Sequence, residues 1–83
     1  MKADIFTKTL THCGYCVKAK ALLEKAGIEY NEISVEEHRD ACFARVRAAT
    51  GEDPKTAPQI FIDDEYVGGH DQLVIWLQKR GIV

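Results

Sequence analysis

Two cysteines, Cys13 and Cys16, are separated only by Gly14 and Tyr15 and follow a short run of strand-forming residues. A thiolate is a far better nucleophile than a thiol. An unperturbed cysteine ionises near pH ~8.5, and a helix N-terminus can lower that by more than a unit. Cys13 falls where a helix would begin, beside unpaired backbone N–H groups and the positive end of the helix dipole. Cys16 lies one turn later, on the apolar face of the same helix. The pair is therefore unequal, with an accessible, ionisable Cys13 and a sheltered Cys16, and two intervening residues leave the sulfurs close enough to join. The chemistry this predicts is thiol–disulfide exchange, with Cys13 attacking and Cys16 resolving. The same spacing is also half of a zinc site, but zinc needs two more ligands. Cys42, His12, His38 and His70 are scattered singly.

The elements that must position this pair are legible in the pattern. Ala3–Thr7 is β-prone and predicts a first strand, followed by a polar connection over Lys8–His12. A helix is expected from the cysteine motif to about Ala26, with Cys16, Ala19, Leu23 and Ala26 on one face. Gly27 stops it. Glu29–Ile33 reads as a second strand, parallel to the first through a right-handed crossover. Ser34-Val35-Glu36-Glu37 matches a capping box, which predicts a second helix from near Val35 with Val35, Cys42, Val46 and Ala49 inward. Gln59–Ile62 and Tyr66–Gly68 flank an acidic turn, Asp63-Asp64-Glu65, and predict a hairpin. Asp71–Arg80 reads as a last helix with Leu73, Trp76 and Leu77 inward and Gly81 as its stop. The order β-α-β-α-β-β-α describes a small mixed sheet covered by helices. A C-x-x-C beside a β-α-β unit in a cytosolic chain points to thioredoxin-like redox chemistry.

The bulk numbers agree with such a domain. The chain has 83 residues, 46% hydrophobic and 29% charged, with a formal net charge of −2. That length predicts one domain, residues 1–83. No basic patch marks a nucleic-acid footprint, and no apolar run approaches the roughly 20 residues that cross a bilayer. Met1-Lys2-Ala3-Asp4 leads directly into a strand-like stretch, which gives a cytoplasmic location as the expectation. Three cysteines is too few and too odd a number for a disulfide-stapled secreted domain. Cys42, on the apolar face of the second helix, is expected to be a buried, inert thiol.

Three separated motifs then line up in order: Cys13-Gly14-Tyr15-Cys16, Thr56-Ala57-Pro58 and Gly68-Gly69-His70-Asp71. Together they resemble a glutaredoxin of the dithiol type, over essentially the whole chain. The resemblance implies a thioredoxin fold, an α/β architecture with a four-stranded mixed sheet and three helices. It also implies glutathione as co-substrate. By that resemblance, Pro58 follows a cis peptide bond beside the cysteines, the bond type that most readily adopts cis. The Ala57 backbone pairs with the cysteinyl part of glutathione like a short strand, with Thr56 alongside. Gly69, His70 and Asp71 present a helix start to the γ-glutamyl carboxylate, and Asp71 bonds its ammonium group. His70 contributes backbone, and by default its side chain lies at the surface. Tyr15 borders the groove, Lys8 faces the glycine carboxylate, and Gln72 stands where the family often carries an acidic or hydroxyl residue.

The chain also departs from the pattern. Gly14 replaces the proline frequent in the dithiol motif, and in family terms a glycine here is associated with members that hold a [2Fe–2S] cluster between two subunits. The loop from Lys8 to Cys13 is about two residues longer than usual. His12, directly before Cys13, could stabilise the thiolate when protonated. The resulting expectation is a monomeric, glutathione-dependent oxidoreductase acting on glutathionylated or disulfide-containing proteins, with no metal, nucleic-acid or membrane partner. The alternatives are a redoxin recharged by thioredoxin reductase and a glutathione-ligated [2Fe–2S] carrier.

Overall fold

Alternation along the two central strands builds a layer on each side of the sheet. The computed structural model describes residues 1–82. Its elements are β1 (Lys2–Thr7), α1 (Gly14–Lys25), β2 (Glu29–Ser34), α2 (Arg39–Thr50), β3 (Gln59–Ile62), β4 (Glu65–Gly68) and α3 (His70–Lys79). The strands lie in the order β2-β1-β3-β4, with β1 parallel to β2 and the other two pairings antiparallel. Ala3 and Ile5 of β1 and Ile60 and Ile62 of β3 point to one face, where Ala19 and Leu23 of α1 and Leu73 and Leu77 of α3 cover them. Phe6 and Phe61 point to the other, against Cys42 and Val46 of α2. Side chains of a strand alternate between faces, so burial on both sides requires the near-continuous apolar run that Gln59–Ile62 carries.

Polar ties fix the edges of this sandwich. Arg45 of α2 pairs with Asp4 of β1 at 2.9 Å, and its guanidinium lies 4.1 Å from the centre of the Phe61 ring. On the opposite face the Thr7 hydroxyl donates to Glu32 at 2.7 Å, and Lys20 of α1 pairs with the same carboxylate at 3.0 Å. These partners hold the Glu32 carboxyl below the usual carboxylate range, the Thr7 hydroxyl first and the Lys20 ammonium second.

The second helix differs from the sequence expectation. It starts at Arg39, with His38 as its cap, rather than near Val35. Ser34 Oγ does accept the Glu37 N–H at 3.2 Å, as a capping box requires. The turn is not continued, because the Val35 N–H donates to Thr7 O at 2.8 Å and Glu36 accepts the Thr9 N–H at 2.9 Å. Both bonds tie the segment to β1 and the loop beyond it. Val35 therefore packs beneath the sheet from a turn, Ala49 is exposed, and Phe43 is the helix residue that joins Cys42 and Val46.

The hairpin is tighter than expected. Asp63 and Asp64 alone form the turn, both with positive φ, and Glu65 already belongs to β4. Positive φ at both central residues matches the right-handed strand twist. The last helix opens one residue earlier than expected, at His70, behind Gly69. Trp76 packs against the core from the half-buried rim, with Arg80 stacked 3.6 Å from its ring centre.

Candidate active site

Cys13 caps the N-terminus of α1 in extended backbone geometry, and its sulfur accepts the Cys16 N–H at 3.3 Å. This is the position at which unpaired helix N–H groups favour negative charge. Cys13 and Cys16 are joined in a disulfide, with Cα atoms 5.2 Å apart. Cys16 is 2% exposed and faces the core, while Cys13 is partly exposed. The inequality expected from their spacing is present. It suits an accessible attacking sulfur and a protected resolving one.

The loop before β3 forms the wall beside the cysteines. The Ala57–Pro58 peptide bond is cis, and Cys13 Sγ lies 4.0 Å from the Ala57 carbonyl oxygen. Pro58 is fully buried. Across from it, Gly68 adopts φ +115°, a conformation only glycine enters readily, and the turn delivers the chain into α3. At Gly69 a Cβ would sit 3.2 Å from Gln72 Oε1 and 3.5 Å from the Pro58 carbonyl oxygen, so a side chain there would press on the Gln72 amide.

Between these walls lies a cavity of about 260 Å³. Tyr15 of α1 forms one side and Thr56, Ala57 and Pro58 form another, while Gly69, His70, Asp71 and Gln72 close the third. Thus eight of the residues singled out from the sequence converge on one groove. Lys8 does not line it. It lines an adjoining cavity of about 270 Å³ on the far side of Thr56 and Ala57, together with Arg39 and Lys55. Thr56 and Ala57 are the ridge common to both. Arg39 was not singled out from the sequence, because an exposed charge at a helix start carries no periodic signal.

Two side chains in the groove behave differently from expectation. Gln72 turns back on the helix start, where its Oε1 accepts the Gly69 N–H at 3.0 Å. That bond satisfies a backbone donor at the helix entry and occupies the amide oxygen. The His70 side chain is only 20% exposed rather than a free surface group. Its ring sits 5.9 Å from the Tyr15 ring, and Nδ1 is 3.0 Å from Asp71 Oδ1. A carboxylate can only accept, so Nδ1 carries the proton. Lys18 Nζ lies 5.4 Å from the other end of this stack, the Tyr15 ring centre. His12 folds back toward the helix start, with Nε2 3.8 Å from where a Cβ on Gly14 would be.

Charge around the site is mostly positive. Lys8, Arg39 and Lys55 gather on one side of the ridge, and Asp71 is the single carboxylate lining either cavity among the described residues. Cys42 borders the basic cavity but is 1% exposed, and burial pushes its thiol up. It is not a nucleophile at neutral pH. Among the described residues no group of three or more His, Cys, Asp or Glu side chains gathers as a metal site. No helix among them is long and apolar enough to cross a membrane.

Comparison with known proteins agrees with this geometry. Residues 4–67 match the glutaredoxin family model. Glutaredoxin 1 of Rickettsia bellii is 46% identical over 78 residues, covering 93% of this chain and 79% of that protein. The structure of reduced Escherichia coli glutaredoxin superposes with a TM-score of 0.77 at 26% identity, covering all of both chains. A buckwheat glutaredoxin–glutathione complex superposes with a TM-score of 0.70 at 32% identity, covering 96% of this chain and 70% of that one.

Proposed function

This chain belongs to the glutaredoxin family and is a thiol–disulfide oxidoreductase, and we propose that glutathione is its co-substrate in the reduction of glutathionylated and disulfide-containing proteins. The observation that carries the proposal is the groove bounded by Tyr15, the Thr56–Pro58 wall and the start of α3 beside Cys13. One similar solved structure is a glutaredoxin–glutathione complex.

In the reduced protein the Cys13 thiolate attacks the glutathionyl sulfur of a mixed disulfide. The old S–S bond breaks, the substrate leaves as a thiolate and takes a proton from solvent, and Cys13 carries the glutathione. A glutathione thiolate then attacks that same glutathionyl sulfur, forming glutathione disulfide and returning the Cys13 thiolate. Alternatively Cys16, once deprotonated, attacks the Cys13 sulfur, expels glutathione as a thiolate that takes up a proton, and closes the Cys13–Cys16 disulfide. Two glutathiones reopen that disulfide. The Cys16 N–H, which donates to the Cys13 sulfur in the disulfide form, supports the same sulfur as a thiolate.

Each part of the tripeptide has a chemical match. The open edge of Ala57 offers backbone N–H and C=O to an extended peptide. The N-terminus of α3 offers N–H groups to the γ-glutamyl carboxylate, with Asp71 for the ammonium. Across the ridge, the basic side chains of Lys8, Arg39 and Lys55 match the charge of the glycine carboxylate. The reducing cytosol suits this cycle, and a monomer suffices for it.

The test is the reduction of a glutathionylated peptide with NADPH, glutathione and glutathione reductase, beside a parallel reaction with NADPH and thioredoxin reductase. Fast turnover in the glutathione reaction alone is expected. Turnover in the thioredoxin reductase reaction alone would leave the cysteine chemistry standing and overturn the glutathione site.

A further inference from the structure

A chain of side chains runs behind the groove wall and is not used by the chemistry above. The Tyr66 hydroxyl of β4 donates to Gln59 Oε1 of β3 at 2.6 Å, and Gln59 Nε2 donates to the Thr56 carbonyl oxygen at 2.7 Å. Gln59 is 4% exposed, and every buried side-chain polar atom among the described residues has a partner. Tyr66 is half-buried, its ring edge-on to Phe61 at 5.2 Å.

We infer that Tyr66 and Gln59 are positioning residues that set the substrate-binding backbone by tethering Thr56 from behind. The inference rests on the glutathione reading for its substrate, though the tether itself rests on geometry alone. Thr56 and Ala57 form the ridge that lines both cavities. Neither is in a regular strand, and Thr56 is exposed. No sheet ladder holds this backbone, so its position depends on such side-chain bonds. The Gln59 amide is well suited to the task because its two ends do opposite work. The oxygen accepts from Tyr66, which orients the amide, and the nitrogen is thereby aimed at the Thr56 carbonyl. The next carbonyl, that of Ala57, lies 4.0 Å from the Cys13 sulfur. A shift of the ridge therefore changes how the docked substrate sulfur meets the nucleophile, and small misplacements of reacting groups are costly.

Tyr66→Phe removes the orienting hydroxyl and keeps the ring against Phe61. Gln59→Glu keeps the shape and an acceptor for Tyr66 but has no N–H for Thr56. Both are compared with the wild-type protein by steady-state kinetics on a glutathionylated peptide, by the rate of Cys13 alkylation with iodoacetamide, and by 15N relaxation of Thr56 and Ala57. The expected result is a KM raised about fivefold in each variant, with kcat within about twofold and alkylation unchanged. Unchanged KM in both, or kcat and alkylation falling together with the folded fraction, would overturn the inference. If the wild-type protein itself fails to turn over the glutathionylated peptide, the glutathione reading has failed. Relaxation then decides the tether: faster motion confined to Thr56 and Ala57 in Tyr66→Phe supports it, and unchanged motion overturns it.

Discussion

The backbone N–H of Cys16 donates to the sulfur of Cys13 across 3.3 Å, so the helix residue that resolves the intermediate also supports the sulfur that forms it. The two roles separate by mutation. Cys13→Ser is expected to lose all turnover, because no other thiol in the site is accessible. Cys16→Ser keeps the backbone donor and is expected to retain deglutathionylation while losing the dithiol route to protein disulfides. Parallel assays on a glutathionylated peptide and on a protein disulfide check this.

Asp71 is exposed at the start of α3 and shares its carboxylate with His70 at 3.0 Å. Asp71→Asn keeps the size and removes the charge offered to the substrate ammonium. KM for glutathionylated substrates is expected to rise about tenfold, the scale of one charge-assisted hydrogen bond, with Cys13 alkylation unaffected. Equal KM values for the two proteins would show that the ammonium group binds elsewhere.

Lys8, Arg39 and Lys55 line one cavity on the far side of the Thr56–Ala57 ridge. Neutralising all three is expected to lower kcat/KM for glutathionylated peptide and to flatten its decline with added salt, since exposed charges are screened within about 10 Å at 0.1 M ionic strength. An unchanged salt slope in the triple variant would remove these residues from substrate recognition.

Glu32 links β2 to Thr7 of β1 and Lys20 of α1, and those partners depress its pKa below the ordinary 4.5. A depressed carboxylate contributes stability that is present above its unfolded value and is lost as pH falls through its folded value. Acid denaturation should therefore steepen below that ordinary value in the wild-type protein. Glu32→Gln should be less stable at neutral pH and should lose part of that acid dependence. Urea unfolding at several pH values measures both, and parallel pH profiles for the two proteins would exclude the linkage.

Gly68 combines φ +115° with a crowded setting, where a Cβ would come 3.0 Å from Gln72 Cβ. Gly68→Ala is expected to cost about 2 kcal/mol through backbone strain and displaced packing. It should also disturb the Gln72 bond to Gly69, so that KM rises as stability falls. Thermal unfolding and kinetics on the same preparation would reveal a silent substitution.

The sequence displayed whatever depends on local periodicity and missed what depends on partners brought from afar. The face of α1 carrying Cys16, Ala19 and Leu23 was legible because a helical period marks it. The strands were legible because they alternate or run apolar between turn residues. The start of α2 was not: Ser34 to Glu37 forms its local turn as written, and the bonds from Val35 to Thr7 and from Thr9 to Glu36 stop it there. Likewise Gln59 and Tyr66 meet only because β3 and β4 pair, with Phe61 opposite Tyr66. Eight of the nine groove residues converged, and Lys8 fell across the ridge with Arg39. The positions that carried a motif lie together in the groove. Arg39, a surface cation in no motif, lies across the ridge beside Lys8.

On the proposed function, Cys13 takes glutathione, rather than the substrate, from a mixed disulfide. The most direct measurement is intact mass of reduced Cys16→Ser protein after brief mixing with a glutathionylated peptide and acid quench. One glutathione bound to Cys13 and free peptide thiol in solution are expected. Peptide bound to Cys13 with glutathione released would contradict it, because the groove beside Tyr15 and Ala57 would then not select the glutathionyl sulfur.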